Sequence, residues 1–376
     1  MATNRRLAPS ALAMLFLLAI DFGLLAAEPA SQPASSPAAS QPATQHVDAK
    51  TVAELVSRLN HDDFKVRENA TQKLIKMGVD IYPLLEAKLT EKKLDSEVVA
   101  RIHAVLDNMS WWVFDAKEAV RRQEEAAKAS GIPKELVLDL RNKANLRLIL
   151  IPAGKFVMGS PASEKERLDD ETQHTVVISK PFYMGVYHVT QEQYEQVMGK
   201  NPSLFKGPLN PVEIVSWSKA TEFCKILSQK TGKTVTLPTE AQWEYACRAG
   251  TTTAFNTGET ISTDQANYDG TYVYGDGNKG KQRQKTTPVG SFTPNAWGLY
   301  DMHGNVRQWC SDWYGYDYYA KSPTTDPQGP NTGELRVLRG CDWGNSPRNC
   351  RSACRHWSEP NANGVVLGFR VVALPG

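Results

Sequence analysis

The sequence predicts an α+β fold with low regular secondary structure, preceded by a small all-α module. Apolar residues recur at helical spacing through residues 47–110, whereas short strand-like runs separated by dense Gly, Asn, Asp and Pro follow Leu148. Most of the nine tryptophans and 26 glycines also lie after Leu148. That bias is typical of a loop-rich domain held by large aromatic side chains.

The overall composition is that of an ordinary globular protein. The chain has 376 residues, of which 22% are charged and 41% hydrophobic, and its net charge is +2. This length predicts two or three domains. Because the net charge is so small, bulk electrostatics give no support for a nucleic-acid partner.

The first 27 residues predict a secretory signal peptide. Arg5 and Arg6 precede an apolar run that ends in small residues suited to signal peptidase. An uncleaved membrane anchor is the alternative, although a proline and an aspartate interrupt the run. We therefore expect an exported protein, periplasmic or extracellular, with no membrane contact beyond such an anchor. Residues 28–46 are rich in Ala, Pro and Ser and predict a disordered linker.

Residues 47–110 predict four short helices, stacked as two helical hairpins. Residues 63–74, DFKVRENATQKL, resemble a HEAT repeat. Such repeats form interaction surfaces, so one hypothesis is that the module binds a protein. The alternative is a structural cap or spacer. Residues 111–147 are charged and predict a largely helical connector.

The remaining segment, residues 148–376, predicts short strands and three capped helices. Residues 148–160 are expected to form two strands around a turn, and residues 176–185 another strand pair. Thr190 and Ser216 are placed to cap two helices, and Thr239 precedes a third.

Seven motifs give residues 148–376 a specific resemblance. They are, in order, PAGKFVMGS (152–160), PFYMGVYHVTQEQY (181–194), PVEIVSW (211–217), LPTEAQWEYA (237–246), GLYDMHGNV (298–306), RG (339–340) and LGFR (367–370). Together they resemble the formylglycine-generating enzymes, the sulfatase-modifying-factor family. The resemblance implies a decorated C-type-lectin-like fold and a copper-dependent, oxygen-driven oxidation of a sulfatase cysteine to formylglycine.

The catalytic thiol pair that the resemblance implies is altered in this chain. When the family motif is aligned from Arg339, its first catalytic cysteine falls on Asn345, its second on Cys350 and its serine on Asp342. Aligned backwards from the LGFR motif, Cys350 is no longer the catalytic match. The candidate catalytic residues are therefore Cys350 and Cys341, a relocated dithiol that would bind copper only if the oxidase hypothesis holds.

The six cysteines all lie in the last domain, and an exported chain permits disulfides. The resemblance implies a bond from Cys247 to Cys350 or Cys354, with Cys310 taking the other. Cys224 is expected to be a buried free thiol on an apolar helix face.

The resemblance also implies calcium as a possible cofactor. One site would use Asp301, the carbonyls of Gly304 and Val306, and Gln308, which stands where the family has a glutamate. A second would use Asn267 and the Tyr268 carbonyl, but Lys281 stands at the position of its acidic ligand. The alternative is an empty site whose loops are held by hydrogen bonds alone.

Two functions of different classes follow. The first is a non-catalytic domain that binds a protein or glycan ligand through the loops of the lectin-like fold. The second is the copper-dependent oxidase of the family. The loss of the thiol at Asn345 favours the binding domain.

Overall fold

The structure is a computed structural model that describes residues 49–77, 81–89, 91, 93–107, 113–140 and 144–375. The predicted signal peptide and linker lie outside the described residues. Among the described helices, none combines the length and the apolar character needed to span a membrane.

Four helices occupy the segment for which four were predicted. They are α1 (Ala49–Ser57), α2 (Phe64–Met77), α3 (Tyr82–Leu89) and α4 (Ser96–Asp107), with a 3₁₀ turn at Arg58–Asn60. The apolar residues at helical spacing form a core of their own, which includes Val52, Leu59, Leu74 and Ile102. Their assignment to HEAT repeats stays a prediction.

The rest of the described chain is a mixed helix and sheet domain. Its helices are α5 (Ala116–Ser130), α6 (Gln191–Met198), α7 (Trp217–Thr231) and α8 (Glu240–Arg248). Its strands are β1 (Glu135–Asp139), β2 (Asn145–Ile151), β3 (Gly154–Met158), β4 (His174–Ile178), β5 (Phe182–Gly185), β6 (Val235–Thr236), β7 (Arg307–Trp313), β8 (Arg336–Arg339), β9 (His356–Ser358), β10 (Leu367–Gly368) and β11 (Val372–Ala373).

These strands form three sheets, with the orders β1-β2-β5-β11-β6, β10-β7-β8-β9 and β3-β4. The strands expected around residues 148–185 are present, but the two strands of each expected pair, β2 with β3 and β4 with β5, do not pair with each other. Strand β2 pairs with β1 and β5, whereas β3 pairs with β4. The sheets therefore combine pairs of consecutive strands, such as β1–β2 and β3–β4, with pairs of strands distant in sequence, such as β2–β5 and β5–β11.

The five-stranded sheet separates two apolar cores. Alternate residues of β2 point to opposite faces, as the pleat of a strand requires. Leu148 and Leu150 enter one core with helices α6 and α7, and Ile149 and Ile151 enter the other with Trp243 of α8. Burial on both faces fixes this sheet at the centre of the domain.

The predicted connector is helical but packs as part of the domain. Ala119 of α5 is buried in the second core, and the amide of Gln123 donates to the carbonyls of Leu150 at 2.9 Å and Trp297 at 3.1 Å. Strand β1 then pairs with β2. In the structure the domain thus begins before Leu148, where the sequence pattern placed its boundary.

Candidate functional site

Helix α8 carries the acidic side chains around which the candidate site is built. It begins at a capping box, in which Thr239 accepts from the Gln242 backbone and Gln242 accepts from the Thr239 backbone. Because Glu240 and Glu244 are four residues apart, they lie on the same face of this helix. Both side chains are buried. Buried carboxylates need cationic partners, and Arg248, Arg339 and Arg355 supply them.

Arg339 of β8 connects this helix to the cysteine-bearing segment. Its guanidinium pairs with Glu244 and donates to the carbonyls of Ser352 at 2.8 Å, Ala353 at 2.9 Å and Cys354 at 2.6 Å. A single buried cation thus holds three consecutive backbone carbonyls in place.

Two further arginines anchor the same segment. Arg355 donates to both carboxylate oxygens of Glu240, at 2.8 and 2.9 Å. Arg351 donates to both oxygens of Glu171 at 2.7 Å, and to Glu164 at 2.6 Å. Such paired, two-point contacts have a fixed geometry, so the chain after Cys350 is rigidly positioned.

All six cysteines are described, and all six are free, buried thiols. The predicted bond from Cys247 to Cys350 or Cys354 is not formed, because the Cys247 sulfur faces Ser352 Oγ at 3.8 Å and His303 Nε2 at 3.9 Å. Cys310 forms no bond with either cysteine and lies in the second apolar core.

The two catalytic candidates do come together. Cys341 and Cys350 are both fully buried in one small apolar cluster, in which Cys341 Sγ donates to the carbonyls of Asp342 at 3.7 Å and Ser346 at 4.0 Å. Burial raises the pKa of the Cys350 thiol well above its ordinary value. The carbonyl of Cys350 meets His303 Nδ1 at 2.7 Å.

His303 is a buried histidine. Its Nε2 lies 3.1 Å from the Asn256 backbone N–H and accepts from it, so Nδ1 carries the proton that is donated to Cys350. Burial lowers the pKa of His303 to about 4. The imidazole is therefore neutral and structural.

A polar cluster surrounds Asn345, the residue on which the resemblance places the family's first catalytic thiol. Asp342, which is fully buried, accepts from Arg307 Nε at 2.8 Å, from the Asn345 amide at 2.9 Å and from the Gly344 backbone at 2.9 Å. Asn345 in turn accepts from the Asn349 amide at 3.0 Å. The side chain of Asn345 thus both donates to Asp342 and accepts from Asn349. We call Arg307, Asp342 and Asn345 the Arg–Asp–Asn cluster.

The first calcium set does not fit a calcium ion. The side-chain oxygen of Gln308 already accepts from Trp243 Nε1 at 2.9 Å and from Arg370 Nε at 2.7 Å. Arg370 also places a cation beside Asp301, one of whose carboxylate oxygens is buried without a partner. Burial raises the pKa of Asp301 to about 6. Because Gln308 has no free oxygen lone pair, no step is assigned to calcium there.

The carbonyl-bearing residues of that set, Gly304 and Val306, lie in the turn before β7. Gly304 donates to the Gly340 carbonyl at 2.6 Å and approaches Asn267 as an isolated bridge. Val306 is buried beside Gly368. Their role in the structure is to join three loops.

The second calcium pair is engaged in similar loop contacts. The Asn267 amide donates to the Lys285 carbonyl at 2.9 Å and to Asn305 Oδ1 at 3.2 Å, while its own oxygen is buried without a partner. The Tyr268 hydroxyl donates to the Ile261 carbonyl at 2.9 Å. Among the described residues, no three His, Cys, Asp or Glu side chains are arranged to hold a metal ion.

A family model described as sulfatase-modifying factor enzyme 1-like domain matches residues 135–374. The chain belongs to this family. The match begins at Glu135, where β1 begins, and so agrees with the domain boundary that the structure shows.

Proteins to which the chain is similar carry different names. The formylglycine-generating enzyme of Streptomyces coelicolor is 37% identical over 175 residues, 43% of this chain and 52% of that enzyme. The serine/threonine-protein kinase pkn1 of Chlamydia caviae is 29% identical over 323 residues, 77% of this chain and 47% of the kinase. The chain therefore spans about half the length of these two relatives.

The fold of this family member is also found in a solved structure. PvdO from Pseudomonas aeruginosa is 32% identical, with a TM-score of 0.55 over 64% of this chain and 98% of PvdO. This likeness supports the mixed helix and sheet fold of the family.

The functional residues that sequence reasoning missed are the arginines. Arg339, Arg351 and Arg355 were not predicted to be buried, because nothing local in the sequence distinguishes a buried arginine from an exposed one. The available signal was the spacing of Glu240 and Glu244 on a helix with an apolar face, which placed two carboxylates inside the protein.

Proposed function

We propose that this chain is an exported, non-catalytic binding member of the family, whose lectin-like domain contacts a protein ligand through the face that carries the Arg–Asp–Asn cluster. One observation carries this proposal. At the position of the first catalytic thiol, Asn345 is hydrogen-bonded to Asp342, which also holds Arg307. The oxidase reaction needs a soft thiolate ligand at this point, and an amide locked to a carboxylate does not supply one.

The thiol pair that remains is poorly placed for the alternative, copper-dependent oxidation. Cys341 and Cys350 have no exposed surface, whereas a substrate cysteine has to reach the metal. The proposal therefore assigns no role to copper, and none to calcium.

The proposed binding face combines a cation with aromatic and aliphatic side chains. Arg307 is one-fifth exposed. Trp343 lies near Arg307, since the Trp343 backbone N–H donates at 3.1 Å to the carbonyl of Asn305, two residues before Arg307. The Trp343 ring packs edge-on against Phe205, with 5.5 Å between the ring centroids. Leu204, next to Phe205, is 60% exposed. Tryptophan and arginine dominate the energetics of protein interfaces, which favours a protein over a glycan ligand.

The experiment that tests this function compares ligand capture by three versions of the full chain. Wild type, Trp343→Ala and Tyr316→Ala are immobilised and exposed to a cell-envelope extract of the producing organism, and bound proteins are quantified by mass spectrometry. Tyr316 is 61% exposed and follows the far end of β7 from Arg307, so it is the matched aromatic control.

We expect one protein to be captured equally by wild type and Tyr316→Ala, and at least about tenfold less by Trp343→Ala, since loss of a central interface aromatic costs on the order of 2 kcal/mol. Circular dichroism checks that the variants are folded. Equal capture by all three contradicts the proposed face. A glycan array that shows binding dependent on Trp343 would replace the protein ligand by a glycan.

A further inference from the structure

A run of alternating basic residues lies beside the proposed binding face. Residues 279–285 read KGKQRQK, so that Lys279, Lys281, Arg283 and Lys285 alternate with uncharged residues. The three lysines are exposed and the arginine is half-buried. We call this segment the basic rim. Because six peptide steps span at most about 20 Å, the rim concentrates four cations on a short stretch of surface.

The basic rim is held on the loop beneath it. The Gly280 N–H donates to the Gly270 carbonyl at 2.7 Å, and the Gly270 N–H donates to the Lys281 carbonyl at 3.2 Å. Arg283 donates to the Thr263 carbonyl at 2.7 Å. The backbone between the lysines is therefore fixed before any ligand arrives, which reduces the entropy lost on binding.

The cations of the basic rim are not neutralised by acidic neighbours. Within the described chain, none of the four forms a salt bridge, and Asp276, the carboxylate nearest to them in sequence, pairs with Lys165 at 3.4 Å. On the loop beneath the rim, Asp264 is exposed and Asp269 is buried. The four cations thus outnumber these two carboxylates, and the local surplus of positive charge attracts anions.

Hydrogen bonds connect the basic rim to the Arg–Asp–Asn cluster. The Gln282 amide donates to Asp269 Oδ2 at 2.8 Å, and the Asp269 backbone N–H donates to the carbonyl of Asn345 at 2.9 Å. Asn345 is a member of that cluster. The rim and the proposed binding face therefore lie side by side.

The two neighbouring surfaces differ in character. The proposed face offers the Trp343 ring and the exposed side chain of Leu204, whereas the rim offers mainly lysines, which are compact point charges on flexible stems. A polypeptide can supply apolar side chains to the first surface and carboxylates to the second. An acidic polysaccharide supplies only the carboxylates, so the combination favours a protein.

We propose that the basic rim binds an acidic segment of the protein ligand, next to the apolar segment that contacts Trp343. This inference rests on the proposed function and specifies its partner, a protein with several carboxylates within about 20 Å of extended chain. Exposed ion pairs contribute little one by one. The rim therefore acts mainly by attracting and orienting the acidic ligand during association.

An octaglutamate peptide tests the rim without the unidentified ligand. The full chain is titrated into the fluorescently labelled peptide, and fluorescence anisotropy gives Kd. We expect binding that weakens by at least about fivefold when NaCl is raised from about 50 to about 300 mM, because salt screens exposed charges. Octaglutamine, which lacks the carboxylates, should not bind.

Two double variants with the same loss of charge localise the binding. Lys281→Gln with Lys285→Gln should raise Kd for octaglutamate at least about threefold, because two exposed ion pairs are lost. Lys180→Gln with Lys233→Gln removes two exposed lysines that precede β5 and β6 and should leave Kd unchanged. Circular dichroism checks that both variants are folded.

The inference is overturned if the two double variants bind octaglutamate equally. It is also overturned if a polygalacturonate fragment of equal charge binds more tightly than octaglutamate, since the anion is then a polysaccharide. Peptide binding is measured apart from ligand capture. Its failure would leave Trp343-dependent capture intact, whereas loss of that capture would contradict the proposed function.

Discussion

Arg307 donates through Nε to Oδ2 of Asp342 at 2.8 Å, and the Asp342 carboxylate is fully buried while the arginine reaches the surface. The same carboxylate accepts from the amide of Asn345, the residue on which the resemblance places the first catalytic thiol. The carboxylate receives three donors, one from a side-chain cation, one from an amide and one from the backbone, and so ties the loop after β8 to the start of β7.

Removing the charge of Asp342 should therefore destabilise the domain. Asp342→Asn leaves Arg307 without its anion and turns one accepting oxygen into a donor that faces donors. We expect the free energy of unfolding to fall by about 2–3 kcal/mol, below the value for a fully buried pair because Arg307 is partly hydrated. Urea unfolding measures the change. Asp317→Asn, which removes an exposed pair with Lys321, is the control and should have little effect.

Two glycines of the GLYDMHGNV motif permit a matched test of loop packing. Gly298 and Gly304 both have positive φ, of 84° and 77°. A Cβ at Gly298 meets nothing within 4 Å, whereas one at Gly304 would lie 2.3 Å from the Asn267 carbonyl oxygen.

Alanine at either position carries the same backbone cost, roughly 1–2 kcal/mol. Gly304→Ala adds a clash with the backbone. It should therefore lower the free energy of unfolding by at least about 2 kcal/mol more than Gly298→Ala does, or prevent folding. Thermal unfolding of the two variants in parallel gives the comparison. Equal Tm values would show that the contact between these loops is not as close as the structure has it.

The buried carboxyl of Asp312 makes stability depend on pH. Burial, and secondarily Glu240, raise its pKa to about 7, well above the ordinary 3.8. Between pH 3.8 and about pH 7, the folded protein therefore keeps a proton on Asp312 that the unfolded chain has already released. The contribution of the protonated Asp312 carboxyl to the free energy of unfolding is fully present at low pH and is lost as pH rises through about 7. The free energy of unfolding changes with a slope of at most about −1.4 kcal/mol per pH unit.

Asp312→Asn should remove that dependence, because an amide oxygen can still accept from the Glu240 N–H, which lies 2.9 Å from the native carboxylate. The free energy of unfolding of the variant relative to wild type is expected to increase steadily from pH 5 to pH 7. The check is a series of urea unfolding curves across this range. A difference that stays constant with pH would contradict a raised pKa at Asp312.

Much of the local structure could be predicted from the sequence. Thr190 and Ser216 cap their helices as expected, and Ala220, Phe223, Cys224 and Leu227 form the buried face of α7. These features depend on residues within one or two helical turns. The motifs likewise predicted the family, which the family model confirms over residues 135–374.

The features that could not be predicted are those made by residues distant in sequence. Arg351 reaches Glu171, and Arg355 reaches Glu240, across well over a hundred residues. Strand β1 was missed because its partner β2 lies beyond a break in the apolar pattern. The expected pairing of Cys247 was inferred from a resemblance, whereas its actual neighbour is decided by how the segment around Ser352 is anchored by Arg339.

The absence of oxidase activity is the central claim, and turnover of a substrate peptide tests it most directly. The full chain is loaded with Cu(I) and incubated with oxygen and a Cys-x-Pro-x-Arg peptide, and the peptide mass is followed. We predict that the peptide cysteine is unchanged, because Asn345 cannot replace the missing thiolate. Multiple turnovers to the aldehyde, abolished by Cys350→Ser, would contradict the account and establish the copper-dependent oxidase instead.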